Sequence, residues 1–156
     1  MKLKGKNILI TGGSLGIGKE TAKYLTDKGA NVLITGRSEE RLIKAKEYTN
    51  AKHIVFDIAD INNIPVNATK CLNLLDNRVD VLINNAGTGR RGTVEELNIE
   101  DFLHVYNVNV FGLSILTKEI IPIFKKQNQG TIINIGSTAS LRGYKGGSVY
   151  ASSKFA

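Results

Sequence analysis

A chain of 156 residues, 42% hydrophobic and 22% charged, suits one domain with its own core and is too short for two, so residues 1–156 are expected to form a single unit. The formal charge of +7 invites a nucleic-acid partner, but Lys2, Lys4, Lys6, Arg90, Arg91, Lys125 and Lys126 are dispersed. They form no stripe with interleaved aromatics, so no nucleic acid is expected, and the charge serves at most to attract an anionic cofactor or substrate.

From the N-terminus, Asn7–Thr11 (NILIT) reads as a buried strand, and it runs into Thr11–Glu20, TGGSLGIGKE. Gly13-x4-Gly18-Lys19 approaches a Walker A loop. That loop needs a hydroxyl after its lysine to ligate Mg²⁺, and Glu20 stands there instead, with Thr21 one position late. Thr11-Gly12-x3-Gly16-x-Gly18 fits a dinucleotide turn better. Gly12 supplies the positive-φ turn, Gly16 lets the backbone approach a pyrophosphate, and Gly18 permits close helix–strand packing. The following helix, Gly16 to the C-cap Gly29, offers free N–H groups to an anion. The literal G-x-G-x-x-G is not matched, since its last glycine falls on Thr21. These glycines alone also suit a purely structural turn.

Further strands are expected at Asn31–Thr35, His53–Asp57, Val79–Asn84 and Thr131–Ser137. Helices are expected at Ser38–Tyr48, with Ser38 as N-cap, at Ile61–Asp76, weakened at its start by Pro65, and at Ile99–Lys126 behind Asn98. On the long helix Phe102, Val105, Leu113, Leu116 and Ile120 recur at helical spacing and are expected in the core. The alternation predicts an α/β fold, a doubly wound parallel sheet with helices on both faces. No apolar run, Ile120–Phe124 included, is long enough to span a bilayer, and no charged start leads into an apolar signal. With Cys71 alone, an internal disulfide is impossible, and a cytoplasmic location without membrane association is expected. His53 and His104 lack metal-ligand spacing, so no metal is expected.

Three more clusters follow the glycine turn: Asn84-Asn85-Ala86-Gly87 after the fourth strand, Asn109 in NVNVFG, and Ser137 ahead of Tyr150-x3-Lys154. Tyr150 and Lys154, four apart, share a helix face. An ammonium near a phenol favours the phenolate and brings proton exchange towards neutral pH. Taken singly, each of these side chains has an ordinary structural explanation; in this order the set resembles the short-chain dehydrogenase/reductase family over Lys4–Ala156.

The resemblance implies a Rossmann-type sheet and an NAD(P)-dependent oxidoreductase that moves hydride between cofactor and a ketone or alcohol. In its terms Tyr150 is general acid and base, Ser137 steadies the substrate oxygen, Lys154 also binds the nicotinamide ribose, and Asn109 supports a proton relay. The cofactor would meet Gly12, Ser14, Gly16, Ile17 and Gly18 at the turn, Arg37 and Ser38 beyond the second strand, Asp57 and Ile58 at the adenine, Asn85, Ala86 and Gly87 along the ribose side, and Tyr150 and Lys154. An NAD site would place an acid after the second strand for the ribose 2′-hydroxyl. Thr35-Gly36-Arg37-Ser38 has none, and Arg37 with Ser38 suits a 2′-phosphate, so NADP(H) is favoured and NAD stays open. Ser14 stands where some family members carry a second basic residue.

The general pattern is similar to 3-oxoacyl-acyl-carrier-protein reductases, a likeness shared with many small-ketone reductases. Arg90-Arg91 suits either an acidic carrier protein or a solvated loop. Family members continue past the Tyr-Lys element through further strands that finish the sheet, and the full-length form is expected as a homodimer or homotetramer. This chain is therefore expected to lack the C-terminal strands. A non-catalytic dinucleotide-binding module is the alternative.

Overall fold

Short β-branched runs and longer amphipathic runs alternate in the structure as they do in the sequence. A computed structural model describes residues 2–156. Strands β1 (Asn7–Ile10), β2 (Asn31–Gly36), β3 (Lys52–Val55), β4 (Val81–Asn84) and β5 (Thr131–Asn134) form one sheet in the order β3-β2-β1-β4-β5, with every pairing parallel. Between and after them lie α1 (Gly16–Asp27), α2 (Glu39–Thr49), α3 (Ile64–Leu74), α4 (Ile99–Tyr106), α5 (Leu113–Gln127) and α6 (Ser148–Phe155).

The period-two alternation of the strands divides the core in two. Leu9, Leu33 and Leu82 point to the face that also buries Ile64, Ala68 and Cys71 of α3 and Leu116 and Ile120 of α5. Their neighbours Ile8, Ile10, Val32, Ile34, Val81 and Ile83 point to the opposite face, against Ala22 and Leu25 of α1 and Leu42 and Ala45 of α2. The doubly wound α/β sheet expected from the sequence is the observed one.

Several boundaries differ for physical reasons. Pro65 does not weaken α3: it sits in the first turn, where no backbone N–H is required. Gly29, at φ +80°, follows the last turn of α1 as expected. The long helix is interrupted, because Asn107–Gly112 forms a π-helical segment between α4 and α5. Its wider turn breaks the 3.6-residue period. Val105, Leu116 and Ile120 are fully buried as expected, while Phe102 and Leu113 are only half-buried. Taken whole, Ile99–Gln127 is long and apolar enough to cross a membrane by length and composition, contrary to the expectation drawn from uninterrupted apolar runs. Its buried stripe lies in the core beneath the sheet.

At the N-terminal ends of the strands, Asp80 is almost fully buried and accepts from Lys6 Nζ at 2.8 Å, Arg78 Nη2 at 2.8 Å and the Asn7 backbone N–H at 2.9 Å. Asn7 donates in turn to the Leu75 and Arg78 carbonyls, which ties the start of β1 to the connection ahead of β4. Burial alone would raise the Asp80 carboxyl; the hydrogen bonds from Arg78, Lys6 and Asn7 outweigh it and pull it far below the ordinary carboxylate range. The far edge is different in character: all four residues of β5 are exposed, and it has a neighbour on one side only.

Candidate active site

Chain connectivity reverses direction between β1 and β4, and at such a point the loops after neighbouring strands diverge and leave a crevice. A cavity of about 280 Å³ opens there, lined by Gly12, Ser14 and Leu15 after β1, Thr35–Arg37 at the end of β2, Phe56–Ile58 after β3 and Asn85–Thr88 after β4.

The glycine turn is built for close approach. Gly12 has φ +66°, and a methyl group on it would lie 2.8 Å from the Ala86 Cα. Gly18 is equally confined, because a methyl there would strike Asn85 Nδ2 and the Gly12 carbonyl. Gly16 has φ +53° but faces open space. Leu15 caps α1 without a side-chain bond, and its first turn carries no acid, so the helix presents unscreened N–H groups. An anionic diphosphate fits this cradle. Gly16, Ile17 and Gly18 do not line the cavity itself, and Ile17 is largely exposed.

Thr11 locks the two halves of the crevice together. Its buried Oγ1 accepts from Asn85 N at 3.1 Å and Ala86 N at 3.0 Å. Asn85 Nδ2 donates to the Thr11 and Gly12 carbonyls, both at 3.0 Å. Both N–H groups of the Asn85 amide are thereby spent on the fold, while the residue stays on the cavity wall. In Asn84, Nδ2 donates to Thr117 Oγ1 and Asn134 Oδ1, while its buried Oδ1 meets no protein donor among the described residues.

At the β2 end Arg37 lines the cavity, is exposed and forms no ion pair among the described residues, since Glu40 is taken by Lys44 at 2.7 Å. Ser14 shares this corner: its Oγ lies 3.2 Å from where a Gly36 methyl would be. Ser38 is the N-cap that the sequence led one to expect, and its O–H stays free to donate. It caps α2, accepting from Arg41 N at 3.4 Å, and does not line the cavity. Asp57 and Ile58 do line it, with Asp57 Oδ1 accepting from Ala59 N.

The strap Gly87–Gly89 leads from this cavity to α6. A methyl on Gly87 would lie 3.7 Å from both Lys154 Nζ and Asn109 Oδ1, and one on Gly89 would lie 3.1 Å from the Tyr150 ring. Lys154 Nζ donates to the Ile135 carbonyl at 3.1 Å. Ser137 Oγ accepts from Ala139 N at 3.1 Å as it caps the short 3₁₀ turn Thr138–Ser140, which leaves its own proton free to donate. Asn109, in the π segment and 4% exposed, donates to the Thr88 carbonyl and Ser153 Oγ and accepts from Thr88 N. Lys154 and Asn109 share a second cavity of about 250 Å³ with Asn134–Gly136, whereas half-buried Ser137 and Tyr150 line neither. No hydrogen bond joins Tyr150 to Ser137 or Lys154 among the described residues. Sequence reasoning placed Thr11 in the glycine motif without giving its side chain a role, and it missed Thr88, Phe56, Val108 and Ser153, which carried no signal.

Known proteins share this arrangement. The family model for short chain dehydrogenase matches residues 6–156. The NADP-dependent 3-hydroxy acid dehydrogenase of Schizosaccharomyces pombe is 38% identical, over 99% of this chain and 62% of its own length. The 3-oxoacyl-acyl-carrier-protein reductase FabG of Thermotoga maritima is 35% identical, over 99% of this chain and 64% of its own. Among solved structures, a metagenomic short-chain oxidoreductase in complex with NADP superposes with a TM-score of 0.93 at 30% identity, covering 99% of this chain and 72% of that one. One from Burkholderia phymatum in complex with NAD gives 0.91 at 27%, covering 99% and 57%. The chain thus spans less than two thirds of the length of these curated relatives. A match that begins at β1 and runs through the Tyr150–Lys154 helix without losing the crevice between β1 and β4 leaves one conclusion: this chain belongs to the short-chain dehydrogenase family.

Proposed function

We propose that the crevice binds a nicotinamide dinucleotide, NADP(H) before NAD(H), and that in the full-length form the chain's Tyr150 exchanges a proton with a small carbonyl or alcohol substrate. The observation that carries this reading is the strap: Gly87 lines the crevice, and a methyl on it would lie 3.7 Å from Lys154 Nζ, as one on Gly89 would lie 3.1 Å from the Tyr150 ring. When bound, the cofactor supplies or accepts the hydride. The protein's part is binding, orientation and proton transfer. The α1 N-terminus and the Gly12–Gly16 turn hold the diphosphate. Arg37, in no ion pair among the described residues, takes the 2′-phosphate, assisted by Ser14. Ser137 donates its free proton to the substrate oxygen, and Tyr150 gives or takes the proton on that same oxygen. Lys154 keeps positive charge beside both the phenol and the cofactor ribose. Relatives described as an NADP-dependent 3-hydroxy acid dehydrogenase and a 3-oxoacyl-acyl-carrier-protein reductase support a carbonyl/alcohol substrate class.

A second reading, a dinucleotide-binding module without turnover, is favoured by Ser137 and Tyr150 lining neither cavity. The two separate on Tyr150→Phe. For the enzyme, NADPH-dependent reduction of a ketone falls by about 10²–10⁴-fold in the variant while NADPH binding persists. A wild type that binds NADPH and turns over nothing leaves the module.

A further inference from the structure

The catalytic-helix motif Tyr150–Lys154 contains two serines whose surroundings differ completely. Ser152 is exposed and bonds only back along its own helix, to the Val149 carbonyl at 3.0 Å. Ser153 is 3% exposed. Its hydroxyl donates to the Tyr150 carbonyl at 2.8 Å and accepts from Asn109 Nδ2 at 2.9 Å. The same Asn109 side chain grips Thr88 through both its carbonyl, at 2.8 Å, and its N–H, at 2.9 Å. A continuous chain of hydrogen bonds therefore runs from the strap at Thr88, through the π segment at Asn109, to the backbone of α6.

We propose that Ser153 is a positioning residue: it holds the Tyr150–Lys154 helix in register with the Gly87–Gly89 strap, and so shapes the end of the crevice that takes the nicotinamide half of the dinucleotide. This rests on the dinucleotide reading above. The sheet order fixes which end is affected. Arg37 and Asp57 follow β2 and β3 on one side of β1, while Gly87, Thr88 and α6 lie on the β4 side. Without the Ser153 hydroxyl, one N–H of a buried amide loses its acceptor and α6 loses its bond to the π segment, while the Lys154–Ile135 and Ser148–Gly92 bonds and every contact on the adenine side remain.

The test compares two ligands on the 156-residue protein, NADPH and 2′,5′-ADP, which carries the adenine and 2′-phosphate but no nicotinamide. Ser153→Ala is expected to weaken NADPH about tenfold and to leave 2′,5′-ADP within about twofold, while Ser152→Ala changes neither. Retained 2′,5′-ADP binding also reports that the fold is intact. Unchanged NADPH affinity in Ser153→Ala would overturn the proposal, and so would an equal loss of both ligands, which marks a general destabilisation. A wild type that binds neither ligand would instead bring down the dinucleotide reading on which the proposal stands.

Discussion

Thr11 and Asp80 sit at opposite ends of the central strands and perform the same task, joining β1 to β4. Thr11 does so with a neutral hydroxyl that accepts two backbone N–H groups, while Asp80 uses a buried carboxylate shared by Lys6, Arg78 and the Asn7 backbone. Because the folded Asp80 carboxyl lies below its unfolded value near 4, its contribution is complete above that pH and is lost as pH falls towards the folded value. Asp80→Asn should cost about 2 kcal/mol at pH 7, the worth of hydrogen bonds to a charged acceptor, and progressively less below about pH 4. Urea unfolding of both proteins across pH checks this, and a cost that stays constant down to pH 2 would contradict it. Arg37 and the glycine turn stood out in the sequence as candidate contacts, because glycines between a strand and a helix and an arginine where an NAD site needs an acid both suit a dinucleotide. Ser38 was legible as the cap of α2, and capping uses only its acceptor side. Ser153 carried no signal, since nothing in YASSK separates a buried serine from an exposed one.

At the scale of elements, the apolar runs revealed all five strands, and the helical spacing revealed α4 and α5 as one long element. The π segment stayed hidden because it adds a residue to one turn without any breaker: NVNVFG contains no proline, and its single Gly112 is buried against the Ile58 carbonyl. The segment holds Asn109 inward, where it meets Thr88 and Ser153. Thr131–Asn134 exposes unpaired backbone groups beside Ile132 and Ile133, 39% and 42% exposed, with no charged residue in the strand. Such an edge pairs with other chains unless a charge interrupts it. Ile133→Lys should reduce self-association of the 156-residue protein in sedimentation or light scattering, at a stability cost within about 0.5 kcal/mol. Association that is unaffected by the lysine would point to another surface.

Across the whole molecule, two apolar layers clamp the sheet and leave its C-terminal ends free for ligand. The deeper layer encloses Cys71 completely, and burial pushes its thiol up to about 12. Little thiolate exists at neutral pH, so alkylation of Cys71 should be slow in the native protein and should track global unfolding as denaturant is added. Rapid modification without denaturant would mean that the α3–α5 layer opens locally. The layered fold itself was legible because the strands are near-continuous apolar runs, as burial on both faces requires, and helical stretches alternate with them. The separation of Asn109 and Lys154 into a second cavity was not, since it depends on how α6 docks.

The central claim is that the crevice between β1 and β4 holds a dinucleotide and reads its 2′-phosphate through Arg37. The most direct test is a fluorescence titration of NADPH and of NADH into the 156-residue protein and into Arg37→Ala; with no tryptophan in the chain, nicotinamide emission is followed without indole background. Saturable binding, tighter for NADPH, with a loss of roughly tenfold or more for NADPH and little change for NADH in the variant, is the predicted result. Tighter binding of NADH, or no saturable binding of either, would contradict it.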